Sequence, residues 1–258
     1  MSRIGITLWL TLPLACAAPP AKPQPTFEAA FNGIWQSLGS ADWDIQDHSA
    51  EQGPFPKLGV LGVIPPGRGI VEGNEIPYLP EAAEKRRENR AQRWRLDPEI
   101  KCYLPGVPRA TYLPFPFEII QSRDDIVIAY EYATANRLIH MRRRVEPAID
   151  TWMGTSNGHW EGRTLVVDVT GFNDQTWFDR AGNFHSDALH VVERYTLLDP
   201  NTIRYEALVE DPKVFSRTWK VSLPLYRVRE NNARLLEFKC VEFSEELLYG
   251  DYRKKPER

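Results

Sequence analysis

From Phe117 onward, the apolar residues of this chain recur at every second position. Ile126, Ile128, Tyr130 and Tyr132 alternate with Val127, Ala129 and Glu131. That spacing puts successive side chains on opposite faces of an extended strand; an amphipathic helix would need a period of 3.6. The Arg123-Asp124-Asp125 turn joins this strand to one over 117–121. A third is expected at 137–142, and Glu161-Gly162 turns into a fourth at 164–169. Others are expected over 188–197, 202–210, 215–223 and 235–243, with Asp199-Pro200-Asn201 as a tight hairpin. Short strands at this spacing predict a sandwich or a barrel, and closing the sheet removes its exposed edges. The expectation is therefore a mainly β protein built on an antiparallel barrel.

The N-terminal part follows another rhythm. Phe27-Glu28-Ala29-Ala30-Phe31 reads as a helical turn, and Gly33-Ile34-Trp35 opens a strand. Residues 39–78 have no clear period and are punctuated by Gly53-Pro54, Pro56 and Ile64-Pro65-Pro66-Gly67. Such a length without regular structure suits a lid or a binding loop. Residues 80–94, with Pro80 near the start and a run of Glu, Lys, Arg and Ala, predict a polar surface helix. Five prolines, from Pro98 to Pro116, then make an extended connector that carries Cys102. Residues 26–258 thus read as one domain, with 39–116 as a loop-and-helix insertion.

The first residues read as an export signal. Arg3 precedes an apolar run from Ile4 to Ala15, and Ala15-Cys16-Ala17 matches a small-x-small cleavage pattern. The expectation is a signal peptide at 1–17, a Pro/Ala linker at 18–25 and a periplasmic or secreted protein. The apolar run is too short to span a bilayer well. Cys16 also stands where a lipid anchor would attach, but Pro13-Leu14-Ala15 is a poor lead-in, so free secretion is preferred. Cleavage leaves Cys102 and Cys240. In an oxidising compartment such a pair reads as a disulfide closing a long loop, worth ~4 kcal/mol; two buried thiols are the other reading. With 32 basic and 35 acidic residues and a net charge of -3, the chain has no basic field for nucleic acid.

The densest chemistry lies between Thr151 and Arg194. In the strand over 188–197, His190 and Arg194 share one face, while Glu193 and Tyr195 share the other. Both faces are half polar, so one charged residue is expected inside the barrel, where it must be paired or neutralised. His190 with a carboxylate is a reasonable acid–base pair near neutral pH; a structural His190 and a surface Glu193–Arg194 pair are the plainer alternative. Asp168 falls on either the interior or the solvent face of its strand. The loop at 171–187 offers Asn173, Trp177, Asp179 and His185 as a mixed lining for a small organic ligand. His185 and His190 are five apart, His159 is distant, and no compact metal-ligand spacing appears, so neither metal nor cofactor is expected. Gly154-Thr155-Ser156-Asn157-Gly158 only approaches a nucleophile elbow and reads as a loop before a strand.

Gly33-Ile34-Trp35 resembles the G-x-W signature of lipocalins, whose Trp closes one barrel end. A broader resemblance rests on Asp97-Pro98, Pro105-Gly106-Val107-Pro108-Arg109, Trp152-Met153-Gly154, Trp160-Glu161-Gly162, Gly171-Phe172-Asn173 and His190-Val191-Val192-Glu193-Arg194. These look like a widespread family of exported bacterial proteins with a lipocalin-like barrel. The resemblance implies export and that fold, and it brings no catalytic residue with it. Two functions are expected from the residues. One is acid–base isomerisation, elimination or hydrolysis of a small, partly apolar molecule. It would use His190, Asp168 and His185, with Asn173, Trp177, Asp179, Trp160, Glu193 and Arg194 binding the substrate. The other is a non-catalytic carrier of such a molecule.

Overall fold

The computed structural model describes residues 28–253, so the expected signal peptide, the linker and Cys16 lie outside the described residues. A 3-10 turn at Glu28–Phe31 leads into β1 (Gly33–Ser37). The insertion carries β2 (Glu51–Gln52), a 3-10 stretch at Pro56–Gly62, β3 (Val63–Ile64), α1 (Pro80–Ala91), α2 (Arg93–Leu96) and α3 (Arg109–Tyr112). Then come β4 (Phe117–Gln121), β5 (Asp125–Tyr130), β6 (Asn136–His140), β7 (Thr155–Glu161) and β8 (Thr164–Thr170). They are followed by β9 (His190–Asp199), β10 (Thr202–Glu210), β11 (Trp219–Arg227) and α4 (Ser244–Tyr249).

Nine strands close into a barrel in the order β1-β11-β10-β9-β8-β7-β6-β5-β4, with β4 pairing back onto β1. The two-residue rhythm does the sorting. Ile126, Ile128 and Tyr130 of β5 are buried, as are Val191, Glu193, Tyr195 and Leu197 of β9, while their neighbours reach the outer face. The buried set forms one continuous core with residues of the insertion such as Ile45, Ile76, Val107 and Tyr112.

The barrel is not wholly antiparallel. β6 and β7 run parallel, through Ile139↔Ser156 and His140↔Asn157. The connection over 141–154 carries the chain from one end of the barrel to the other, as a parallel pair requires. β7 occupies a stretch that reads as loop, because Ser156, Asn157, Gly158 and His159 give no apolar alternation. Residues 235–243, expected as a strand, are irregular. β1 already pairs with both β11 and β4, so the closed sheet has no edge to receive another strand.

Both ends of the barrel are stoppered. At one, Trp35 is fully buried and donates from Nε1 to the Phe31 carbonyl at 2.8 Å. The Arg227 guanidinium lies 4.1 Å from the Trp35 ring centre and donates to the Ala30 and Asn32 carbonyls. Gly33 has φ +124°, and a Cβ there would meet Arg227 Nη1 at 2.5 Å, so glycine is what admits this clamp. At the other end the insertion leaves from Ser37 and returns at Phe117. All four residues of α3 are buried there, and the Tyr112 hydroxyl donates to the Phe178 carbonyl at 2.7 Å. Among the described residues no helix is long and apolar enough to cross a membrane.

Candidate functional site

Cys102 and Cys240 form a disulfide, joining the insertion to the tail that follows β11. The Phe243 amide donates to the Ile100 carbonyl beside this bond. Phe238 packs edge-on against Phe115 at 5.3 Å and at a tilt against Tyr132 at 4.9 Å. The tail is thereby laid along the insertion and brings α4 opposite the 3-10 stretch at Pro56–Gly62.

Between these segments lies a cleft of about 300 Å³. Its walls are Trp43, Phe55, Trp94 and Tyr249 with Pro54, Leu58, Leu61, Val63 and Ile64, and Glu245 is the one charged residue on them. Phe55 and Tyr249 pack at a tilt with ring centres 5.7 Å apart, and Trp43 meets Trp94 edge-on at 6.2 Å. A second chamber of about 190 Å³ adjoins it, sharing Phe55, Trp94 and Glu245 and adding Phe115, Tyr132, Phe238, Glu99 and Arg180. A mostly apolar hollow of this size with a few placed polar groups is the usual form of a small-molecule site.

An ionic ladder reaches the second chamber through Glu99, Arg180 and Glu245. Arg109 pairs with Asp97 at 3.0 Å and with Glu99 at 2.6 Å. Arg180 donates from Nε and Nη2 to Glu99, both at 2.9 Å, and from Nη1 to Glu245 at 3.1 Å. Burial pushes the Glu99 carboxyl up, but Arg180 and Arg109 outweigh it and hold the group down at about 2. Asp42 lies beside the same charges, and burial together with Glu99 pushes it up to about 6.

No family model matches this chain, and no curated protein matches it. The site therefore has to be read from its own residues.

The residues singled out from the sequence lie elsewhere, in several separate places. His190 and Asp168 pair on the outer face of the barrel, with Nε2 and Oδ2 3.1 Å apart; Arg144 also holds Asp168, and Glu210 flanks His190 at 3.6 Å. Arg194 is also on the outer face, 2.8 Å from Glu161. His185 is buried beneath Phe172 and Phe178. Its Nδ1 faces the Ser186 carbonyl at 2.9 Å and so carries the proton, leaving Nε2 to accept from the Thr176 hydroxyl at 2.6 Å. Burial lowers its basicity, which keeps it neutral. The three acid–base candidates thus share no cavity.

Asp179 is fully buried and accepts from the amides of Ile45, Ala181 and Asn183 and from the Asn183 side chain, which ties the 171–187 loop to the insertion. Burial and nearby Asp44 push its carboxyl up to about 7 against those donors. Asn173 accepts from the Gln175 amide in a local turn. Trp177 bridges to Phe184 within the loop. Trp160 packs edge-on against Phe31 at the barrel end closed by Trp35.

Glu193 is the charged residue of β9 that enters the barrel. It pairs with buried Arg137 and accepts from the Tyr195 and Tyr205 hydroxyls at 2.9 and 2.8 Å. Arg137 also donates from Nε to Ser156 Oγ at 2.8 Å. Near this pair the Tyr130 hydroxyl, Thr111 Oγ1 and Arg137 Nη1 are buried together. Among the described residues no group of three His, Cys, Asp or Glu side chains is placed to hold a metal.

Sequence reasoning missed the cleft residues Trp43, Phe55, Trp94, Tyr249 and Glu245, as well as Arg180. The long aperiodic stretch at 39–78, which suits a binding loop, pointed only to Trp43, Phe55 and the residues around them.

Proposed function

We propose that this protein is an exported binder of a small, partly apolar organic molecule, held in the cleft between the Pro56–Gly62 stretch and α4. The observation that carries this reading is the cleft itself: about 300 Å³, walled by four aromatic rings and aliphatic side chains, with a single charged group. Export is supported by the apolar run at 4–15 and by a disulfide of the kind that persists in oxidising compartments. Binding is preferred to acid–base catalysis because His185 is buried apart from the His190–Asp168 pair, and that pair is held by charges on the outer face.

A neutral probe, 1-naphthylmethanol, tests this. Its double ring suits the cleft, and Trp43 and Trp94 report on it. The expected result is saturable quenching of tryptophan fluorescence that is lost in Leu58→Trp, where a larger ring fills the cleft. Absence of saturable binding, or equal binding by the filled variant, would overturn the assignment.

A further inference from the structure

We propose that the ligand of this cleft is an organic cation, an apolar amine or ammonium, with Glu245 as its counter-charge. This rests on the binding reading above and adds the chemical class of the ligand. The ionic cluster holds four carboxylates, Asp42, Asp97, Glu99 and Glu245, against two guanidinium groups, Arg109 and Arg180. Glu99 already engages Arg180 through two nitrogens, so the pairing of Arg180 with Glu245 leaves carboxylate in excess. Burial is the main cause of the upward push on Asp42, and the Glu99 carboxylate beside it adds to that push. A cation entering the cleft relieves the carboxylate excess, and an anion adds to it.

The walls point the same way. The face of an aromatic ring attracts cations, and a desolvated ring does so more strongly. The chain already uses three wall rings in this manner: Arg180 lies 4.5 Å over Trp43, Arg93 4.9 Å over Trp94 and Arg253 5.4 Å over Phe55. Each of these guanidinium groups has a carboxylate partner, Glu99, Glu51 and Glu246 in turn, the first shared with Arg109 and the second with Arg90, so none faces an incoming amine unpaired. Glu245 lies on the walls of both chambers, which places a carboxylate where an ammonium head would sit with its apolar body among the rings.

The test compares three naphthalene probes of matched shape on the full mature chain at pH 7: 1-naphthylmethylamine, 1-naphthylmethanol and 1-naphthoate. The amine is expected to bind about tenfold more tightly than the alcohol, and the naphthoate more weakly than either. That preference is expected to shrink in high salt and to fall to about twofold in Glu245→Gln. Equal binding of amine and alcohol, or tightest binding of the naphthoate, overturns the cation assignment while the cleft still stands as a binding site. If none of the three binds, the binding reading itself fails. The comparison among probes is made on the unaltered protein, so it decides the matter even if the variant does not fold.

Discussion

A carboxylate inside a barrel is stable only if its charge and its lone pairs are both met. Glu193 meets the first need with Arg137 and the second with Tyr195 and Tyr205. Removing one partner of a buried pair strands the other, so Glu193→Gln is expected to lose about 3–5 kcal/mol of stability in urea unfolding. Replacing Arg137 by Met as well should recover much of that loss, because the stranded charge goes with it; a double variant as unstable as the single one would contradict this. Asp42 makes a different prediction. It releases its proton near 3.8 in the unfolded chain and at about 6 in the fold. The native state therefore binds more protons between those values, and the Asp42 contribution to stability falls as pH rises through them. Asp42→Asn should be more stable than the parent above pH 6, by roughly 1–3 kcal/mol, and should lose that advantage below pH 4. A difference that does not vary with pH would refute the upward push that burial and Glu99 give Asp42. Glu99 acts in the opposite direction: held at about 2, it supports the fold above its unfolded value near 4.5 and withdraws that support as pH falls towards 2.

Among the elements, the tail after β11 depends most on a single bond. It contributes Phe238, Glu245 and Tyr249 to the chambers, yet it has no place in the sheet. The Cys102–Cys240 disulfide ties it to the insertion. Reduction by a dithiol, which passes two electrons and two protons to the cysteines and becomes a disulfide itself, should leave the barrel folded and free the tail. Limited proteolysis is expected to cut within 228–253 at least tenfold faster, with the strand signal in circular dichroism unchanged and naphthylmethanol binding weakened. An unchanged cleavage rate would show that the aromatic and ionic contacts hold the tail without the bond. The same element marks where the sequence stops being readable. A period of two reveals a strand wherever one face is apolar, which is why β4, β5, β8, β9 and β10 are legible. It does not reveal whether the sheet still has a free edge, so residues 235–243 look like a strand and are not one. It also misses β7, whose small and polar residues carry no alternation.

Over the whole molecule, the barrel serves as a platform: it is stoppered at both ends, and the cleft is built outside it from the insertion and the tail. This explains why the fold was more legible than the site. The parity of β9 shows that one charged residue must enter the barrel, but choosing Glu193 over His190 requires knowing which face turns inward, and Arg137 on a distant strand settles that. Trp43, Phe55, Trp94 and Tyr249 come from four unconnected stretches, and no local pattern joins them; only the disulfide hints that the tail returns to the insertion. The most direct check is hydrogen–deuterium exchange of the protein with and without saturating 1-naphthylmethanol. The account predicts slower exchange over 53–64 and 243–249, with no change along β8 and β9 around Asp168 and His190. Protection confined to those two strands, with the cleft segments unaffected, would contradict it.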